Sequence, residues 1–393
     1  MNDQRAVTLP RLGWKADVTI LSNARIVLAT DVMEGWVAVV GDRIAAFGEG
    51  AAPERGIDLG GDYLLPGLVE LHTDHLESHV QPRPKVRWNT LGAVLAYDAQ
   101  IAASGITTVF DSLRTGLDAD GLGLGAEVME LAAAIDHARS NGLFRAEHLT
   151  HLRCEVPSIR VVEQTTELLA RFPIGLISLM DHTPGQRQFR NLDRYYTYAA
   201  RYGGTREQME ARAARRMAEG AALNASNRPL LVDLARSGGV TLASHDDTTI
   251  ADVAESRANG VSIAEFPTTI EAAEACNAAG ITVMMGAPNL IRGGSHSGNV
   301  SAAALAEAGL LQVLSSDYVP ASLLLAAFQA PHCVSGMTLP RAVALVSRNP
   351  ARATGLHDRG EIAPGMRADL LRVRLLDDMP VVRQVWRGGE RVA

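Results

Sequence analysis

The chain has 393 residues, 47% of them hydrophobic, and a net charge of −7 with a pI near 5.9, which suits one large α/β barrel with an appendage or two to three ordinary domains. The acidic balance argues against a nucleic-acid partner held by bulk charge, and three scattered cysteines, Cys154, Cys276 and Cys333, suggest neither a disulfide framework nor a cysteine zinc cluster. With no secretion-type apolar core at the N-terminus and no run of roughly 20 apolar residues, no membrane role is expected and a cytoplasmic location is.

From about residue 14 to 63 the chain reads as short strands separated by Gly, Asp and Asn turns, as in "DVTILSNARIVL" and "WVAVVGDRIAAFG". Residues 360–393 have the same texture, so one small β-sandwich-like domain assembled from both termini is expected. Residues 64–359 alternate apolar, strand-like runs with helical stretches rich in Ala, Leu and Glu. Eight strands are expected: Leu64–His72, Ile106–Asp111, Phe144–Glu155, Ile174–His182, Val240–His245, Val261–Phe266, Ile281–Gly286 and Leu311–Asp317. Eight β/α alternations fit a TIM-like (β/α)8 barrel, although a doubly wound sheet shows the same alternation. The stretch 188–220, long, aromatic and basic, reads as a helical lid or an elaborated strand–helix connection.

The chemistry collects where apolar strands stop. His72 and Asp74 close the first strand, Glu155 the third, His182 the fourth, His245 the fifth and Asp317 the eighth. In a barrel these ends meet at one mouth, and imidazoles with carboxylates there suit zinc or a similar divalent ion. A single histidine after a strand is most often a satisfied, half-buried residue; five such ends together are harder to dismiss. His75, Glu77 and His79 follow in the loop and are weaker as ligands, Glu77 being the reserve if Asp74 turns away. Glu70 lies deeper on the strand and reads as structural. His148 and His151 are expected to line the pocket.

The two-ended β-domain, the "LPGLVELHTD" entry and the aspartate on the last strand resemble the amidohydrolase superfamily across nearly the whole chain. The family pattern has His-x-His on strand one; this chain has His72-x-Asp74. The blocks "ELHTDHLESH", "HLRCEV", "DHTPGQRQF", "ASHDD", "EFPTT", "MGAPNLIRGGSHSGN" and "SSDYVP" further resemble the branch of that superfamily that serves phosphonate breakdown in the carbon–phosphorus lyase pathway. That resemblance implies a metal-dependent hydrolase that cuts a ribose 1-methylphosphonate 5-triphosphate to its 5-phosphate and releases pyrophosphate. It implies one or two divalent ions, zinc first with manganese and iron as alternatives, held by His72, Asp74, Glu155, His182, His245 and Asp317. Asp317 is then the proton acceptor and Glu155 a bridging, catalytic carboxylate. His75, Glu77, Asp181 and Asp246 would orient the ligands.

The residues agree with a polyanionic substrate. "NLIRGGSHSGN" offers Arg292, Ser295, His296, Ser297 and Asn299 after strand seven, where barrels often bind phosphate and where glycines let backbone amides approach an anion. Lys85 and Arg187, in basic stretches after strands one and four, add cations. The rival reading is an amidohydrolase or deaminase that opens a C–N bond of a cyclic substrate. The expected partner is thus a small polyphosphorylated sugar, and a homodimer is compatible with the sequence.

Overall fold

The computed structural model describes residues 18–83, 85–116, 127–187, 192, 195–196, 205–295 and 298–393. Chain order runs from a meander, β1 (Val18–Val27), β2 (Val32–Val40) and β3 (Arg43–Glu49), through β4 (Ile57–Asp58) to β5 (Tyr63–Pro66). The parallel strands follow: β6 (Leu68–Thr73), β7 (Ile106–Thr115), β8 (Glu147–Glu155), β9 (Ile174–Met180), β10 (Thr241–His245), β11 (Ile263–Glu265), β12 (Thr282–Gly286) and β13 (Val313–Ser315). The chain ends in β14 (Leu370–Leu376), β15 (Met379–Arg387) and β16 (Glu390–Arg391).

β6 to β13 pair in consecutive order, each parallel to the next. A bridge between Thr73 and Asp317 joins the last strand to the first, so the sheet closes on itself. The Asp317 amide donates to the His72 carbonyl at 3.1 Å and the Asp74 amide to the Asp317 carbonyl at 3.1 Å. The interior is filled by a cluster of apolar side chains, among them Val69, Leu71, Phe110, Leu176, Ala243, Ile263, Met284 and Val313, as a packed barrel requires.

Helices cover the outside, and their starts are written in the sequence. After β10 and β11 come "TTIAD" and "TTIEA", in which Thr249 and Thr269 accept a hydrogen bond from the amides of Asp252 and Ala272 and cap the helices Ile250–Ala258 and Ile270–Ala278. After β9 the chain builds the helix Arg206–Ser237, 32 residues long, which opens with a Thr205/Gln208 capping box. The basic stretch expected to be a lid or connection thus supplies a long helix from residue 206 on, and most of 188–204 lies outside the described residues.

The other sheet has the order β16-β15-β14-β5-β1-β2-β3, with β4 also on β1. The expected first barrel strand, Leu64–His72, is really two. Tyr63–Pro66 pairs with β14 and β1 in the terminal sheet, and only Leu68 onward enters the barrel. Gly67 makes the change of sheet possible. Its amide donates to the Asp369 carbonyl at 2.8 Å, and a Cβ there would collide with the Thr107 side chain and stand 2.9 Å from Asp369 Cβ. Arg359 and Arg367 meet on Glu147, at the start of β8, and tie the sheet to the barrel, while Arg372 and Arg374 of β14 meet on Asp62, beside β5, within the terminal sheet. Replacing Gly67 with Val is expected to cost about 1–3 kcal/mol by overpacking this joint. An unchanged midpoint in denaturant unfolding would show that the joint has room to spare.

Candidate metal centre and active site

The carboxyl ends of the barrel strands converge as expected, and they bring imidazoles together in a buried cluster. His72, at 1% exposure, stacks on His245 with ring centroids 5.6 Å apart, and Phe266 stands edge-on to both. Glu265, the last residue of β11, lies between the two histidines. Its Oε1 is 3.2 Å from His72 Nδ1 and its Oε2 is 2.9 Å from His245 Nδ1. On the outer side, Asp246 Oδ2 lies 3.5 Å from His245 Nε2 and 4.0 Å from His182 Nε2. Two overlapping groups result, His72–His245–Glu265 and His182–His245–Asp246, each with one ligand atom per residue within 4.8 Å of the others.

The donor set fits a divalent cation. Among the described residues, His72 Nδ1, Glu265 Oε1 and Asp246 Oδ2 are buried without a hydrogen-bond partner. Orphaned buried polar atoms are rare, and mixed nitrogen and carboxylate donors facing one space are what zinc and related ions take. Burial lowers His72 and His245 to about 3, so both imidazoles stay in the neutral, metal-binding form at physiological pH.

The remaining carboxylates fall into two kinds. Burial opposes the charge of Asp74, but the Arg153 guanidinium and His72 outweigh it and bring it down to about 2. Burial likewise opposes ionisation of Glu155, yet His182 and Arg114 hold it well below the ordinary carboxylate range. Burial instead lifts Asp246 and Asp317 to about 7, with Asp74 adding repulsion at Asp317. Both Asp246 and Asp317 sit in left-handed backbone, φ 57° and 55°, as does Phe266 at 57°. Such positions cluster at functional sites, where the surrounding structure holds them.

Several expected roles change with these partners. Strand β6 ends at Thr73, and Asp74 becomes the N-cap position of a short helix, His75–Val80. Its carboxylate pairs with the Arg153 guanidinium. Glu155 accepts from the His182 amide at 2.9 Å and from His182 Nδ1 at 2.6 Å, so it is placed to orient that imidazole and leave Nε2 toward the cluster. His75 and His79 both turn to Gln100 Oε1, each at 3.0 Å, and His75 Nδ1 lies 3.1 Å from the Tyr318 carbonyl. Glu77 is half-buried on the same short helix. Asp181 accepts from Thr183 N and from Asn224 Nδ2, so it ties the long helix down, and among the described residues it bonds no ligand histidine.

The expected substrate cations also divide. Arg187 is 8% exposed and bonds the His245 carbonyl at 3.0 Å and the Asp247 carboxylate, so it braces strand β10 from behind. Lys85 is exposed in left-handed backbone. Arg292 is exposed at the end of the helix Ala287–Ile291, with Ser295 and Asn299 half-buried in the loop beyond it. That loop is pinned to the barrel's mouth by Val300 N donating to the Thr268 carbonyl at 3.0 Å. His296 and Ser297 lie outside the described residues.

Sequence reading passed over Glu265, Arg114, Arg153 and Arg216. Glu265 ends an apolar strand, "VSIAEF", by the same rule that picked out the histidines. Arg153 lies on β8 two positions from His151 on one side and two from Glu155 on the other, so all three share a face of the strand. Of the two histidines expected to line the pocket, His151 lies under the cluster, bonded to Ser178 Oγ at 2.9 Å. His148 is in the barrel wall between Asp98 (3.2 Å) and Asp111 (2.9 Å).

Comparison with known proteins agrees with this geometry. Residues 252–393 match the Amidohydrolase family. The chain is 47% identical to the alpha-D-ribose 1-methylphosphonate 5-triphosphate diphosphatase of Escherichia coli (strain K12), over 95% of this chain and 100% of that one. The chain belongs to this diphosphatase family of amidohydrolases. An imidazolonepropionase from Ruegeria sp. (strain TM1040) is 26% identical over 90% of this chain and 91% of its own. Among solved structures, an N-acetyl-D-glucosamine-6-phosphate deacetylase from Mycobacterium smegmatis superposes with TM-score 0.63 at 17% identity, covering 96% of this chain and 99% of that one. An N-isopropylammelide isopropylaminohydrolase from Burkholderia multivorans does so with TM-score 0.63 at 18% identity, covering 95% and 97%. These two share the fold.

Two outcomes are expected from the site. Glu265→Gln keeps the shape but removes a charge, and the affinity for divalent metal should fall about 10–100-fold, read as metal per chain by elemental analysis under competing chelator. The second concerns His148. Burial works against its charge, but Asp111 and Asp98 prevail and raise it from 6.5 to about 9. A raised histidine stabilises the fold fully below pH 6.5, and that contribution is lost as pH rises through about 9. The stability gap between the unsubstituted protein and His148→Gln should therefore shrink by on the order of 2 kcal/mol across that window. A gap constant from pH 6 to pH 9.5 would mean that His148 is neutral in the folded protein.

Proposed function

We infer that this protein hydrolyses alpha-D-ribose 1-methylphosphonate 5-triphosphate to the 5-phosphate and pyrophosphate, the activity in the name of its E. coli relative. The single observation that carries this is the 47% identity over the full length of that relative. The 26% matches to an imidazolonepropionase and an adenine deaminase from Desulfatibacillum aliphaticivorans favour a second reading, C–N bond opening in a cyclic substrate, on much weaker likeness.

The residues proposed to hold the metal are His72, His182, His245, Glu265 and Asp246, with Asp317 beside them. Zinc is the first choice for such donors, and manganese or iron the alternatives. When bound, the ion lowers the pKa of water and offsets charge on a phosphoryl oxygen. Asp317 receives the proton of the attacking water. Its carboxyl, lifted to about 7, is basic enough to take a proton and still ionised in good part at neutral pH. The water oxygen bonds to the α-phosphorus, next to the ribose, and the bond from that phosphorus to the α,β-bridging oxygen breaks. Pyrophosphate leaves with the electron pair. Glu155 keeps the His182 ring in one orientation throughout, and Arg187 with Asp247 does the same for the His245 end of β10. Arg292, Ser295 and Asn299, which follow β12, are proposed to meet the leaving phosphates. A cytoplasmic enzyme acting on a small molecule, with neither nucleic acid nor membrane as partner, is the setting we propose; among the described residues no helix is long and apolar enough to cross a membrane.

The test is phosphorus NMR of the sugar triphosphate with metal-loaded protein, which should show pyrophosphate and sugar 5-phosphate in equal amounts. Free orthophosphate as the first product, or no turnover, would overturn the reading. Asp317→Asn should lower kcat by at least about 100-fold while the metal content stays unchanged.

A further inference from the structure

The helix Arg206–Ser237 is longer than a barrel connection needs, and it is fastened to the mouth by specific contacts. Asn224 Nδ2 donates to Asp181 at 2.7 Å, and Asn227 Nδ2 donates to the carbonyls of Val156 at 2.9 Å and Ser158 at 3.0 Å. Gly220 packs so tightly that a Cβ would stand 3.0 Å from the Thr183 hydroxyl oxygen. One turn before Gly220 the helix carries Arg216, whose Nη2 lies 3.7 Å from Glu155 Oε1.

Glu155 has no evident need of that charge. Its two oxygens already receive the His182 amide, the His182 ring and, at 2.7 Å, the Arg114 guanidinium from the end of β7. Glu155 is 2% exposed, while Arg114 and Arg216 are each 25% exposed. Two guanidinium groups therefore stand over one buried carboxylate and face solvent at the rim of the mouth. Each has five N–H donors, and a single carboxylate uses only a few of the ten. Arg153 differs: it is 11% exposed and paired with Asp74.

We propose that Arg114 and Arg216 grip the polyphosphate tail of the substrate, and that Arg216 sets the preference for a triphosphate over shorter phosphate chains. The proposal rests on the diphosphatase reading given above. A triphosphate ester carries several negative charges on planar arrays of oxygens, the shape that a guanidinium fork matches with paired hydrogen bonds. Both arginines are set before substrate arrives, one by a barrel strand and one by an anchored helix, so little ordering cost opposes binding. The same donors neutralise the charge that gathers on the departing pyrophosphate.

The experiment titrates inorganic tripolyphosphate, pyrophosphate and orthophosphate into the full-length protein and into Arg216→Gln and Arg216→Lys by calorimetry. Metal content and pyrophosphate release from the sugar triphosphate are measured on the same samples. Arg216→Gln should weaken tripolyphosphate binding and raise KM by roughly 10-fold, more than it weakens orthophosphate binding, and Arg216→Lys should recover part of the loss. Metal per chain should stay the same. Unaltered tripolyphosphate affinity and KM in Arg216→Gln would overturn the proposal. So would a parallel loss of metal, which would mean that Arg216 serves only to hold Glu155. Arg216-dependent binding of tripolyphosphate by a protein that releases no pyrophosphate would instead overturn the reaction and leave the grip standing.

Discussion

The mouth of this barrel depends on one buried carboxyl at its seam. Glu70 is fully buried, and its two oxygens accept from the His72 amide at 2.6 Å and the Ser316 amide at 2.5 Å. The first amide belongs to the first barrel strand and the second lies directly after the last, β13, which is only three residues long. Little ladder pairing is available to close the ring, so a side chain supplies the missing acceptors. Burial pushes Glu70 up to about 8, which marks how far from water the clamp is. One amide is that of His72 itself, and Asp317 follows directly after the other. Their separation and direction follow from this one pair of hydrogen bonds.

Around that fixed seam the site sorts its ionisable groups by neighbour. His72 and His245 are kept neutral by burial, ready to donate lone pairs. Asp74 is kept charged chiefly by Arg153, and Glu155 by His182 and Arg114. Asp246 and Asp317, with no guanidinium in contact among the described residues, are pushed by burial toward neutral pH. Carboxylates with divergent environments are how one pocket can hold a cation, orient ligands and move a proton together. Positive charge enters from three separate places: strand β7 brings Arg114, strand β8 brings Arg153 and the long helix brings Arg216.

Much of this was legible in the chain. Parallel barrel strands are apolar on both faces, so they stand out as short continuous runs, and all eight emerge where such runs occur. The rule that chemistry gathers at their ends located His72, His182, His245 and Asp317, and applied evenly it also reaches Glu265. What the chain hid was partnership. Nothing local to Asp74 says that Arg153, far along in sequence, will claim its carboxylate. Arg187 reads like any basic loop residue until Asp247 and the His245 carbonyl are seen to bury it. Arg216 sits in a run of arginines on a polar helix, where spacing cannot single out one of them. The splitting of Leu64–His72 between two sheets was hidden for a similar reason: β5 is recruited by β14, nearly the whole chain away.

That recruitment bears on how the protein is made. β5 lies between β1 and β14, so during synthesis its outer edge stays open until the last few dozen residues leave the ribosome. An open edge with a buried-type sequence, "YLLP", invites pairing with other chains. Folding therefore cannot run simply from front to back. The front of the molecule waits for its end, and a ribosome that stalls late leaves behind a nearly complete barrel carrying an adhesive flank.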